Sequence, residues 1–311
     1  MEFNMKGLVP PVFTPLLSNG KINYQIIPVY AQYLRRSGFD AILVGGTTGE
    51  NMSLSVADRK ELMSVWVNEG IKCGFRVQAQ VGGAPLPDVL ELAKYAQSIG
   101  IDSLLTLPEL YFKPSTVESL VFYLQQIAEA APNLPILYYH IPSFTNVQLS
   151  MPKFVQAATA RIPNFKGLKF TSNDLCEGAQ TLRSLNHTQQ MFLGADTLLA
   201  PGALLGIKSS IGTTLNMFPL IAQQILLAVE KGDVTAALKH QETLSMAVEA
   251  ITSEGDWVPS MKAAMEIVTG ITMGSPCLPQ TPISNEARQR LETKLNPFIQ
   301  INSQISKNKV G

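Results

Sequence analysis

Short runs rich in Val, Ile and Leu recur along the chain at 8–14, 41–46, 76–82, 103–108, 135–140, 167–170, 191–196 and 209–214, and most are apolar throughout rather than alternating. A strand with water on one face alternates in polarity. A strand covered on both faces does not, and covering on both faces marks a parallel sheet flanked by helices. Segments of helical period lie between the runs. Ile26, Tyr30, Tyr33 and Leu34 share one face, as do Val89, Leu92, Ala93 and Ala96, and Leu120, Leu124 and Ile127. Ser115-Thr116-Val117-Glu118 reads as a capping box, Pro87 suits a first helical turn, and Gly100 suits a helix C-terminus. Eight strand-then-helix units predict an α/β fold of the (β/α)8 TIM-barrel type. The competing open, doubly wound sheet lacks its glycine-rich fingerprint after the first run.

After Phe218 the pattern becomes all-helical, with expected helices at 220–231, 234–252 and around 261–269. No low-complexity linker intervenes. The expectation is therefore a barrel carrying the catalytic site over 1–232 and a C-terminal helical extension, 233–311, packed on its outer ring. A chain of 311 residues is long for one domain, but barrels reach ~250 residues before any extension.

Charge narrows the partners. The chain holds 24 Lys and Arg against 24 Asp and Glu, and no basic stripe that would neutralise phosphates, so nucleic acid is not expected. No apolar stretch is long enough to span a bilayer, and the residues from Met1 to Gly7 carry no secretory core. Cys73, Cys176 and Cys277 are scattered and odd in number, which fits neither a disulfide framework nor a metal site, and a cytoplasmic location is expected. His187 and His240 stand apart from other potential ligands.

In a barrel, the C-terminal strand ends and the loops after them carry the chemistry. Here those ends are polar and hydroxyl-rich. The second run ends in Gly45-Gly46-Thr47-Thr48-Gly49-Glu50, whose hydroxyls and glycine-flanked N–H groups suit a carboxylate or phosphate. The fifth ends in Tyr138-Tyr139-His140-Ile141-Pro142, the sixth in Gly167-Leu168-Lys169-Phe170-Thr171, the seventh in Gly194-Ala195-Asp196, and the eighth in Gly212-Thr213-Thr214. A lysine at the end of an apolar strand is a candidate nucleophile, because desolvation favours its neutral form and a neutral amine condenses with a ketone.

Taken in order and at their mutual spacing, these five segments resemble the dihydrodipicolinate synthase and N-acetylneuraminate lyase superfamily of Schiff-base class I aldolases, from about Gly7 to about Pro282. The resemblance implies roles. Lys169 would form the Schiff base, and Tyr139 would relay a proton. Thr47 and Thr48 would hold the carboxylate of a 2-oxo acid. Thr171, Gly194, Asp196, Thr197 and Thr213 would line the rest of the pocket, and His140 would stand behind it. Tyr111, in a loop one residue longer than usual, would reach a neighbouring subunit's site in a homotetramer. No metal and no organic cofactor is implied, since the lysine is itself the electron sink.

The same resemblance narrows the substrate. Phe144 stands where the synthases carry an arginine for a second carboxylate, while Tyr138–Pro142 and the stretch from Lys262 to Gly274 are similar to sialate lyases. The implied reaction is reversible cleavage of N-acetylneuraminate to pyruvate and N-acetylmannosamine. Thr197 replaces a glutamate that binds distal hydroxyls, and Leu215 replaces an aromatic. Both changes fall in the sugar half of the pocket that the resemblance implies, which keeps another 2-keto-3-deoxy sugar acid open as the substrate. A barrel that only binds a 2-oxo acid is the alternative of a different class, and it would need neither Lys169 nor Tyr139.

Overall fold

The computed structural model describes residues 3–310; residues 1–2 and 311, the outermost ends of the two expected segments, lie outside the described residues. Seven strands form one parallel sheet in chain order: β1 (Ala41–Val44), β2 (Arg76–Gln80), β3 (Ser103–Thr106), β4 (Ile136–His140), β5 (Phe165–Phe170), β6 (Gln190–Leu193) and β7 (Ser209–Ser210). Helix α1 (Ile27–Arg36) precedes β1. The sheet is interleaved with α2 (Val56–Cys73), α3 (Leu86–Ser98), α4 (Val117–Ala130), α5 (Pro142–Thr145), α6 (Met151–Arg161), α7 (Leu175–Ser184) and α8 (Leu199–Leu204). It is followed by α9 (Pro219–Glu230), α10 (Val234–Thr252), α11 (Trp257–Thr269) and α12 (Asn285–Val310). This is the expected α/β TIM-like architecture with C-terminal helices.

The near-continuous apolar character of the strands has a direct structural reason. Alternate residues serve two different cores. Ile42, Val44, Leu104, Ile136, Tyr138, Leu168 and Phe170 pack outward into the large core beneath the helices. Ala41, Leu43, Leu105, Leu137, Tyr139 and Phe192 point the other way, into a smaller cluster inside the curl of the sheet. The helices contribute the stripes read from the sequence. Val89, Leu92, Ala93 and Ala96 of α3 are all fully buried, as are Leu120, Leu124 and Ile127 of α4. Burying such a side chain is worth roughly 1.5–3 kcal/mol, so the stripes dominate the docking of each helix.

Some expectations shift. Residues 8–14 form no ladder strand. They make isolated parallel bridges, Leu8 to Ser210 and Pro11 to Leu43, supported by Val9 N–H to Ser210 O at 2.9 Å and Val12 N–H to Leu43 O at 2.9 Å. Pro10 and Pro11 have no N–H to donate, which removes the rungs a continuous ladder needs. The last expected strand is also cut to two residues, because Thr213–Asn216 winds into a 3₁₀ turn. The capping box at α4 lies one residue later than expected: Thr116 is the N-cap and Ser119, not Glu118, closes it.

The C-terminal helices reach the strand ends. Val248 and Thr252 of α10 and Trp257 of α11 form a wall of the cavity at the strand ends. Among the described residues no helix is long and apolar enough to cross a membrane.

Candidate active site

The phase of β5 decides which way Lys169 points. Phe165 and Leu168 both pack outward, although strict alternation would put residues three apart on opposite faces. An irregularity resolves this: the register with β4 slips between Ile136, paired with Phe165, and Leu137, paired with Gly167. The extra residue changes the parity of the strand, as a bulge does. Gly167 sits there at φ +126°, and a Cβ would stand 1.8 Å from Gln190 O. Only glycine fits. Beyond the irregularity, Tyr139 pairs with Lys169 in register, and both side chains enter the interior.

Lys169 is 4 % and Tyr139 2 % exposed. Lys169 Nζ donates to Tyr139 Oη at 3.0 Å. The Thr47 hydroxyl is bonded to the same Oη at 3.1 Å, so amine, phenol and threonine form one chain. The Thr48 and Thr213 hydroxyls are bonded to each other at 2.8 Å. The loop after β1 therefore faces the lysine from one side and the turn after β7 from the other.

Asp196 organises that turn. Its carboxylate accepts from Thr213 N–H at 3.2 Å and Thr214 N–H at 3.1 Å, and from the Thr214 hydroxyl. Burial pushes its carboxyl above the usual range, while these donors and the nearby Lys169 pull it back. Thr171 carries a buried hydroxyl with no protein partner, so it is free to bond a ligand oxygen. Gly194 is where Lys169 and Thr171 come close: a Cβ there would stand 1.8 Å from Thr171 Oγ1 and 3.0 Å from Lys169 Cε.

Together Thr47, Thr48, Tyr139, Lys169, Thr171, Gly194, Asp196, Thr197 and Thr213 line one cavity of about 340 Å³. A second hollow of about 510 Å³ adjoins it, sharing Thr47, Ile141, Phe144 and Trp257. Phe144 thus lies at the junction of the two. Tyr111 lines neither cavity; it is 83 % exposed and stacks edge-on with the equally exposed Phe112. Leu215 does not touch the cavity either, contrary to expectation. It is 1 % exposed and packs in the outer core, because the 3₁₀ turn rotates it away from the strand face. Thr197 is the departure that does reach the cavity. His140 packs outward against Phe170 with ring centroids 5.2 Å apart.

Two features escaped the sequence reading. The wall made by Val248, Thr252 and Trp257 comes from helices far along the chain, with no motif to mark it. Glu50, the last residue of the glycine-threonine segment, is buried and paired with Lys262 Nζ at 2.8 Å. A carboxylate set among small residues was the available signal. Among the described residues no group of three or more His, Cys, Asp or Glu is gathered where a metal ion could sit.

A sequence profile described as the Dihydrodipicolinate synthetase family matches residues 4–297. N-acetylneuraminate lyase of Homo sapiens is 36 % identical over 293 residues, covering 94 % of this chain and 92 % of that one. The Mus musculus enzyme of that name is 35 % identical over 294 residues with the same coverage. Among solved structures, N-acetylneuraminate lyase of Aliivibrio salmonicida superposes with a TM-score of 0.89 at 32 % identity, over 94 % of this chain and 96 % of that one. The Proteus mirabilis lyase gives 0.89 at 29 % identity, over 94 % and 98 %.

Proposed function

This chain belongs to the dihydrodipicolinate synthetase family, and from that membership we propose that it is a class I aldolase, a carbon–carbon lyase that reversibly cleaves N-acetylneuraminate to pyruvate and N-acetylmannosamine. The relatives named for that activity support the substrate. The observation that carries the mechanism is the 3.0 Å contact between Lys169 Nζ and Tyr139 Oη inside a cavity lined by paired hydroxyls.

Lys169 Nζ adds to the C2 ketone of the open-chain acid, and water leaves to give an iminium. The C3–C4 bond breaks and its electrons flow into the iminium, forming an enamine. The C4 hydroxyl loses its proton through Tyr139 as the aldehyde forms. The enamine is protonated at C3, and water then releases pyruvate and the free lysine. The Thr47 and Thr48 hydroxyls and their loop N–H groups hold the carboxylate. Thr171, Gly194, Asp196, Thr197 and Thr213 surround the rest of the chain. A 2-keto-3-deoxy acid with a shorter tail is the second reading, favoured by an uncharged Thr197 at the distal end.

Four further elements belong to this reading. Residues 8–14, bridged to β7 and β1, serve as the eighth stave of a closed barrel. Residues 1–232 are the barrel and 233–311 the extension. The exposed Tyr111 enters a neighbour's site in a homotetramer. Three free cysteines fit a cytoplasmic enzyme.

Borohydride reduction in the presence of pyruvate tests the assignment. It should inactivate the protein and add one reduced pyruvyl group to the peptide containing Lys169. Label on a different lysine, or none, would overturn it.

A further inference from the structure

The Thr47–Thr48 loop is held from the far end of the chain. Glu50 is non-glycine yet sits at φ +55°, a conformation that costs energy and persists only where its surroundings hold it. Its N–H donates to Thr47 O at 3.1 Å, so the residue is directly tied to the substrate-facing turn. Its carboxylate is fully buried and every contact comes from residues 262–280: Lys262 Nζ at 2.8 Å, Cys277 N–H at 2.7 Å and Gln280 Nε2 at 3.1 Å. Lys262 Nζ also donates to Thr14 O at 2.9 Å and Ser275 O at 2.8 Å. Thr14 in turn donates its hydroxyl to Gly49 O at 2.7 Å. The lysine therefore braces the loop twice, through Glu50 and through Thr14.

Stability alone does not call for such an arrangement. A buried ion pair seldom outperforms apolar residues of similar volume, because two charges must be stripped of water. What it does supply is a single fixed geometry. We propose that Glu50 and Lys262 are positioning residues that set the Thr47 and Thr48 hydroxyls for the carboxylate of the 2-oxo acid, so that the C-terminal extension governs binding at the pyruvate end. This rests on the aldolase reading above.

The test is the double variant Glu50→Gln/Lys262→Met. It removes both charges together, leaves no lone buried ion, and keeps an amide oxygen for Cys277 N–H. The pyruvate concentration giving half-maximal borohydride trapping at Lys169 should rise about tenfold, the scale of one lost charge-assisted hydrogen bond, with kcat for cleavage within about threefold of wild type. A merely structural role would lower the melting temperature or the active fraction and leave that concentration unchanged. A folded double variant with the wild-type pyruvate dependence overturns the proposal. A companion measurement needs only the wild type: amide exchange over residues 275–280 should slow when pyruvate is trapped, and unaltered exchange there also overturns it. If the wild type itself takes up no pyruvate at Lys169, the aldolase reading fails instead, which separates the two outcomes.

Discussion

The proposed reactive pair, Lys169 and Tyr139, depends on residues that have no side chain. Gly167 sets the parity of β5 and Gly194 leaves room for the Lys169 stem and Thr171. Tyr139 and Lys169 then meet without a third polar group to compete except the Thr47 hydroxyl. Tyr139→Phe removes one oxygen from this chain and little volume. Cleavage should slow by roughly 10²–10⁴-fold, the usual contribution of a positioned acid–base group. Trapping of pyruvate at Lys169 should survive at least in part, since condensation precedes bond cleavage. Near-normal cleavage by this variant would show that the proton travels by another route. The sequence already held the pair, because both sit in distinctive segments at strand ends. The direction of Lys169 was not legible, since the parity change at Gly167 depends on how two strands register.

The strands carry a second consequence of their alternation. Residues next to Tyr139 on β4 and Lys169 on β5 face outward, and His140 is one of them. It is 2 % exposed and its Nδ1 has no partner. Burial lowers its pKa from 6.5 to about 4. The folded chain thus refuses a proton that the unfolded chain accepts anywhere between those values. The contribution of this group to stability is intact above pH 6.5 and is lost as pH falls toward 4. His140→Phe, which keeps an aromatic ring against Phe170, should lose less melting temperature between pH 7 and pH 5 than wild type does. Parallel losses in the two proteins would dismiss the histidine as a source of acid sensitivity. Element positions were largely legible, because buried stripes and doubly covered strands leave strong periodic signals. Helix α10 runs over Val234–Thr252, the limits its spacing implied. What failed was local and competitive. The prolines at 10 and 11 starved a ladder, and Ser119 outcompeted Glu118 for the cap. Within the helical extension expected over 233–311 no separate helix was placed at α12, whose buried Ala287, Leu291, Leu295 and Phe298 keep a helical spacing through Pro297.

At the scale of the whole molecule, the strand ends and the C-terminal helices line one cavity. Helix α10 packs along α9, and its Gln241 accepts from Ala200 N–H at 2.7 Å and donates to Asp196 O at 3.1 Å, which holds the segment after β6. A fragment covering 1–232 would lose that support, expose the apolar flank of α9 and strip the Glu50 carboxylate of the donors that hold it, Lys262, Cys277 and Gln280. It should lack the near-ultraviolet circular dichroism of the full chain and should not trap pyruvate. A folded, trapping-competent fragment would establish the barrel as an independent unit. None of this coupling was legible in the sequence, because it joins residues from 41 to more than two hundred positions apart with no motif to link them.

The split ancestry of the cavity wall bears on how such an enzyme can diversify. The proposed bond-breaking groups, Lys169 and Tyr139, lie on strands, whereas Val248, Thr252 and Trp257 come from helices. Exchange of the segment from 245 to 258 between relatives could therefore alter which sugars are accepted while the Schiff-base machinery is inherited unchanged. Lys262 lies beyond that segment, so its pairing with Glu50 is left in place.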